Sequence, residues 1–197
     1  MPEPFAWTYQ RTDVAFDGET LTINGKPFPV DRIGRLIRSI TYSHAQGSWN
    51  ALECNVDVFA DGVKGSVSFR GDASTEEWGP WRPLWDQFYE VVHDEIEARL
   101  LRRTLDQLFA GESVEIGSLL ANGRGRLIVT SKWCKVRRPF AKEIPWASAS
   151  DVSVASGTYQ LDISQESGKV KAHNIGLGTG EWDAWQVPLL WKVFHDR

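Results

Sequence analysis

Apolar residues along this chain alternate with polar ones over most of its length, and switch to a spacing of three and four over one central stretch. Leu52, Cys54, Val56 and Val58 alternate with Glu53, Asn55 and Asp57, the signature of a half-buried strand. Phe5, Trp7 and Tyr9 alternate with smaller residues before it. Short apolar runs at 14–16, 21–23, 28–33, 33–42 and 63–70 are separated by Asp17-Gly18, Asn24-Gly25 and Asp61-Gly62, dipeptides that favour tight hairpins. Ser43 to Asn50, with Gly47, reads as a polar loop. From Trp78 to Gly117 the period changes. Pro83 suits a first helical turn, and Trp85, Phe88, Tyr89, Val92, Ile96 and Leu100 form one helical stripe. Leu101, Leu105 and Leu108 carry a second stripe, and Gly111 reads as a left-handed C-terminal cap. At about 1.5 Å per residue, such a helix is roughly 40 Å long. The shift of stripe predicts that its two ends pack on different bodies.

Beyond the helix the strand pattern returns: 114–120, a turn at Asn122-Gly123, a strand over 126–133, a basic connection over 135–142, and short apolar runs at 144–146, 152–155, 159–163 and 169–174. A last short helix is predicted over 187–194. Strands, helix, strands, helix suggests two copies of one unit. Two matches support this. Lys26-Pro27-Phe28-Pro29-Val30 resembles Lys142-Glu143-Ile144-Pro145-Trp146, and Trp81-Arg82-Pro83-Leu84-Trp85 resembles the stretch from Trp185 through Pro188 to Trp191. The predicted division is a first unit at 1–98, a helical continuation and linker at 99–111, and a second unit at 112–197. Each unit then reads as mainly β with helices (α+β), a bent antiparallel sheet of about seven strands closed by a C-terminal helix, which is the plan of a pleckstrin-homology-like (PH-like) barrel.

Composition narrows the function classes. The 197 residues carry a net charge of −4, which argues against nucleic acid as a partner. No apolar run reaches the 18 or so residues of a membrane helix, and the N-terminal MPEPFAWTYQRTD lacks a signal-peptide pattern; the expected location is the cytoplasm. Cys54 and Cys134 sit in strand-like text and read as buried free thiols, although spacing alone leaves a disulfide open. Ten tryptophans are more than solvent exposure tolerates, and Trp78, Trp81, Trp85 in one half match Trp182, Trp185, Trp191 in the other. Their placement points to capping of each unit; a tryptophan-lined peptide groove is the sharper reading.

No catalytic motif is present. G-x-S-x-G is absent. The run Gly176-Leu177-Gly178-Thr179-Gly180 lacks the flanking strand and helix of a dinucleotide loop and reads as a flexible hairpin. His44, His93, His173 and His195 show no metal-ligand spacing. His93 reads as a surface residue beside Asp94 and Glu97, and Glu76 and Glu77 as favourable charge before a helix. No catalytic residue, metal ligand or cofactor is expected, and the chain is not expected to be an enzyme. One cluster stands out: Arg124, Arg126, Lys132, Lys135, Arg137, Arg138 and Lys142, with no acidic residue among them. It reads either as an anion site for a lipid phosphate or phospho-ligand or as edge protection of a strand.

Leu100-Leu101-Arg102-Arg103, Ala110-Gly111-Glu112, Val114 to Leu119, Ile144-Pro145-Trp146 and Val187-Pro188-Leu189-Leu190 together resemble a bacterial family of uncharacterised proteins with tandem PH-like units. The resemblance is best over 100–197 and looser before. It implies the fold and carries no assigned activity. The expected role is therefore a non-enzymatic module that binds a protein or peptide, with a peripheral membrane or phospho-ligand binder acting through the basic cluster as the alternative, an enzyme without a recognisable motif as a third reading, and a homodimer as a further partner.

Overall fold

The computed structural model of the chain describes residues 2–45, 48–71, 81–117, 126–138, 140–164 and 170–195. The expected Asn122-Gly123 turn, Trp78, Glu76, Glu77 and Arg124 lie outside these residues, as do the side chains of His44 and Trp49. The chain is mainly antiparallel β with helices, an α+β protein, and divides into two compact units, 1–100 and 101–197. Among the described residues no helix is long and apolar enough to cross a membrane.

The first unit begins with β1 (Phe5–Tyr9), β2 (Thr12–Phe16), β3 (Thr20–Ile23) and β4 (Lys26–Pro29), hydrogen-bonded in that order. A 3-10 turn, Val30–Arg32, leads to β5 (Ile33–Ala45), β6 (Ser48–Ala60) and β7 (Val63–Gly71), again paired in order. In the second unit β8 (Val114–Gly117), β9 (Arg126–Val129), β10 (Trp133–Val136) and β11 (Ile144–Pro145) form a four-stranded sheet. A 3-10 turn, Trp146–Ser148, precedes the three-stranded sheet of β12 (Ala149–Ala155), β13 (Thr158–Ser164) and β14 (Val170–Gly178).

The expectation of a closed barrel in each unit is corrected. The seven strands divide into sheets of four and three, and no ladder joins the two sheets among the described residues. Proline explains where the ladder stops. Pro27 and Pro29 lie in β4, and Pro145 in β11; a residue without an N–H is confined to a sheet edge, so neither strand can be continued by the next. The same prolines precede the 3-10 turns that redirect the chain.

Corresponding hydrogen bonds recur in the two units. In the β2–β3 turn Asp17 Oδ1 accepts from the N–H of Glu19 and of Thr20, at 2.9 and 2.8 Å. In the β9–β10 turn Thr130 Oγ1 accepts from the N–H of Lys132 and of Trp133, at 3.2 and 3.1 Å. The N–H of Val30 donates to Glu19 O, and that of Trp146 donates to Lys132 O. Each three-stranded sheet carries an irregularity just after its first residue, between Ile33 and Arg35 and between Ala149 and Asp151. Both short sequence matches fall at corresponding places: the Lys-x-x-Pro runs on β4 and leading into β11, and Pro83 and Pro188 in the first helical turns that follow β7 and β14.

The predicted long helix is present, as α1 (Arg82–Glu90), a π-helical segment Val91–Glu97, and α2 (Ala98–Phe109). The π segment is the unexpected part. Its wider turn places Val91 beside Val92, and Ile96 beside Glu97, on the buried side, and the apolar stripe changes face after it. Leu108 is fully buried in the second unit's core, with Leu101 and Leu105 packed against it. Trp85, Phe88 and Val92 are buried in the first unit. The helix ends as predicted: Gly111 has φ of 84°, its N–H donates to Leu108 O, and the N–H of Glu112 donates to Gln107 O, the paired bonds of a Schellman motif. The last helix is α3 (Val187–Phe194).

Three local expectations change. Residues 126–133 are two strands, not one, because the Thr130 hydroxyl closes a turn. The loop expected over 43–50 is strand up to Ala45 and again from Ser48. Within the glycine-rich run, Gly176 to Gly178 belong to β14, with Leu177 fully buried. Both cysteines are free and buried, and desolvation pushes the thiols up, Cys54 to about 11 and Cys134 to about 12.

Candidate functional site

The basic cluster spreads over the second unit's four-stranded sheet. Arg126 begins β9 and Arg137 follows β10, with the N–H of Arg137 donating to Arg126 O. Both guanidinium groups reach Glu115 on β8: Arg126 Nη1 lies 3.2 Å from Oε2, and Arg137 Nη1 lies 2.6 and 2.7 Å from Oε1 and Oε2. Register explains the meeting. Glu115 is opposite Ile128, and Ile128 is opposite Lys135, so these side chains share the outer face. Lys132 lies in the turn at the other end of the same strands, and Arg138 and Lys142 are exposed on the connection to β11. A carboxylate from β8, outside the window that looked purely basic, thus occupies two of the cations. Exposed pairs of this kind contribute about 0–1 kcal/mol. Replacing Lys135, Arg137, Arg138 and Lys142 together by Ser is expected to leave partner binding unchanged and to shift the melting temperature by only a few degrees. A large loss of affinity for anionic vesicles or a partner would restore the anion reading.

A second surface lies at the edge of the three-stranded sheet in the same unit. The order β12-β13-β14 leaves β12 paired on one side only among the described residues. Its sequence, Ala-Ser-Asp-Val-Ser-Val-Ala, holds no lysine, arginine or proline; its one charge, Asp151, and its one irregularity both lie at the start of the strand, which leaves residues 152–155 without these means of blunting an edge. Val154 is 54% exposed. Helix α3 packs along the strand, and Trp191 Nε1–H donates to Ala149 O at 3.1 Å. Strand and helix therefore border a strip of backbone on which the Val152 N–H already donates to Asp151 Oδ1 at 2.7 Å and Ala149 O accepts from Trp191; beyond these two groups the outer side of β12 has no neighbouring strand among the described residues. Of the tryptophans expected to cap the units, Trp81, Trp85, Trp182 and Trp185 are buried and Trp191 is half-buried.

No family model and no curated protein matches this chain.

The first unit holds a polar cluster that the sequence reading missed. Glu97 was expected on a solvated face, yet its side chain is 6% exposed. Arg38 of β5 reaches it from the sheet, Nε to Oε1 at 3.3 Å, and also donates to the Tyr89 hydroxyl. The guanidinium carbon lies 5.5 Å from the Tyr89 ring centroid, and Tyr89 stacks on His93 at 6.0 Å. His93 Nδ1 is 3.0 Å from Glu97 Oε2. The π segment carries both His93 and Glu97, and Arg38 is far away in sequence; no local pattern announces the meeting. These groups tie sheet to helix within the unit. Among the described residues no three His, Cys, Asp or Glu side chains gather to hold a metal.

Proposed function

We propose that this chain is a non-enzymatic binding module of two tandem PH-like units, and that its second unit binds a protein partner by taking an extended peptide as an added strand on β12. Seven antiparallel strands followed by a helix, repeated in the second half with matching turns and the same early irregularity in the three-stranded sheet, support the tandem reading. The edge of β12 beside α3, paired on one side only among the described residues and free of lysine, arginine and proline, carries the binding reading. Main-chain bonds to such an edge give affinity, and flanking side chains such as Val154 and Trp191 give selectivity. The basic cluster is the weaker place for a ligand, because Glu115 already pairs with Arg126 and Arg137.

The test is a selection of peptides from a random library on the immobilised protein, followed by affinity measurement on the purified chain. Val154→Lys places a charge on the exposed strand face, the device natural edges use against strand addition. Binding is expected to weaken at least tenfold with the melting temperature unchanged. Selected peptides that bind the variant as well as the parent would remove the reading.

A further inference from the structure

The repeat exposes a second candidate site in the second unit, independent of strand addition. Each unit has a hollow beside its matching turn. In the first, about 340 Å3 is lined by Glu19, Thr20, Pro29, Asp31 and Arg99. In the second, about 500 Å3 is lined by Ser131, Lys132 and Ala147, with Leu108, Phe109 and Phe194 among the rest. The hydrogen bonds fix the correspondence: Glu19 and Lys132 accept from Val30 and Trp146, so Glu19 matches Lys132 and Asp31 matches Ala147.

Charge at this place is inverted between the copies. The first unit presents two carboxylates, and Arg99, whose guanidinium pairs with Glu95 at 2.8 Å, lines the same hollow. The second unit presents the ammonium of Lys132, and the lining supplies no carboxylate. Lys132 makes no ion pair among the described residues. The walls are apolar instead. Phe109 is 50% exposed and packs edge-on against Phe194 at 5.5 Å. The volume falls within the range of about 300–1,000 Å3 typical of small-molecule clefts.

We infer that the hollow formed by Leu108, Phe109, Lys132, Ala147 and Phe194 is a binding site for a small carboxylate with an apolar body, such as an aryl or alkyl acid. The body would lie against Phe109, Phe194 and Leu108, where removal of apolar surface from water drives binding. The carboxylate would meet Lys132, at the position that Glu19 holds in the first unit.

The experiment is an NMR titration of the full isotope-labelled chain with 4-phenylbutyrate and, separately, with 4-phenylbutanol. The acid is expected to shift amides at Leu108, Phe109, Gly111, Lys132 and Ala147, and to bind at least fivefold more tightly than the alcohol. Lys132→Gln, at an exposed turn position, should bring the acid to the affinity of the alcohol and leave the alcohol unchanged. Phe109→Ala should weaken both. Equal binding of acid and alcohol by the parent, or shifts confined to other residues, would overturn the inference.

Discussion

Phe69→Ala is expected to destabilise the first unit by about 3–5 kcal/mol, the range for deleting a buried aromatic ring. Phe69 is fully buried on β7. Its ring is the meeting point of four others: Trp7 at 5.4 Å, Tyr9 at 5.0 Å, and Trp81 and Trp85 at 5.5 Å each. Those partners come from β1, from the residue preceding α1, and from α1 itself, so one side chain joins both sheets to the helix. Truncation leaves a hole walled by large, stiff rings that collapse poorly, and a cavity that stays open costs most. Phe69→Leu fills much of the volume and should cost about 1.5 kcal/mol or less. Urea unfolding followed through the NMR intensities of first-unit amides measures both. A cost below about 1 kcal/mol for the alanine variant would mean that the aromatic cluster is not the unit's core.

Arg38→Ala should cost about 3 kcal/mol, and the cost should be asymmetric across its ion pair. Removing the guanidinium leaves the Glu97 carboxylate, 6% exposed, with only the largely exposed His93 beside it. Breaking a buried pair from one side typically costs about 3–5 kcal/mol, because a charge remains out of water. Glu97→Ala leaves the opposite remainder. The Arg38 side chain is 29% exposed and still has Tyr89, so its charge rehydrates, and the loss should be smaller. Replacing both, as Arg38→Met with Glu97→Leu, should return stability to within about 1 kcal/mol of the parent, as apolar substitutes for buried pairs often do. Equal losses for the two alanine variants would show that the pair behaves as a solvated one.

What could be read from the chain follows the range of the interaction. Alternation over 52–58 placed β6, and Asn24-Gly25 and Asp61-Gly62 adopt the positive φ values those dipeptides favour, 50° and 73°, and 49° and 82°. Pro83 and Gly111 marked the helix ends. Local signals failed where ordinary residues took unusual parts. Gln10 and Arg11 form a tight turn with φ of 46° and 75° and carry no glycine to announce it. Thr130-Ser131-Lys132 turns through a hydroxyl, in text that looks like continuous strand. The π segment shifts the helical stripe by packing that no periodicity of 3.6 describes. For the candidate sites the missing partner was always distant: Glu115 for the arginines at 126 and 137, Arg38 for Glu97. The edge of β12 depends on sheet order, which strand propensity does not reveal. The correspondence of Glu19 with Lys132 lies in backbone hydrogen bonds, since the two turns share no residue type at that position.

Amide hydrogen exchange of the full chain, with and without a library-selected peptide, bears most directly on the proposed binding mode. Strand addition hydrogen-bonds backbone groups that now face solvent. Addition of peptide is therefore expected to slow exchange at alternate amides of β12 between Ser150 and Ala155, with little change on β13, whose amides are already within the sheet. Protection that appears elsewhere while β12 exchanges at its free rate would contradict the account.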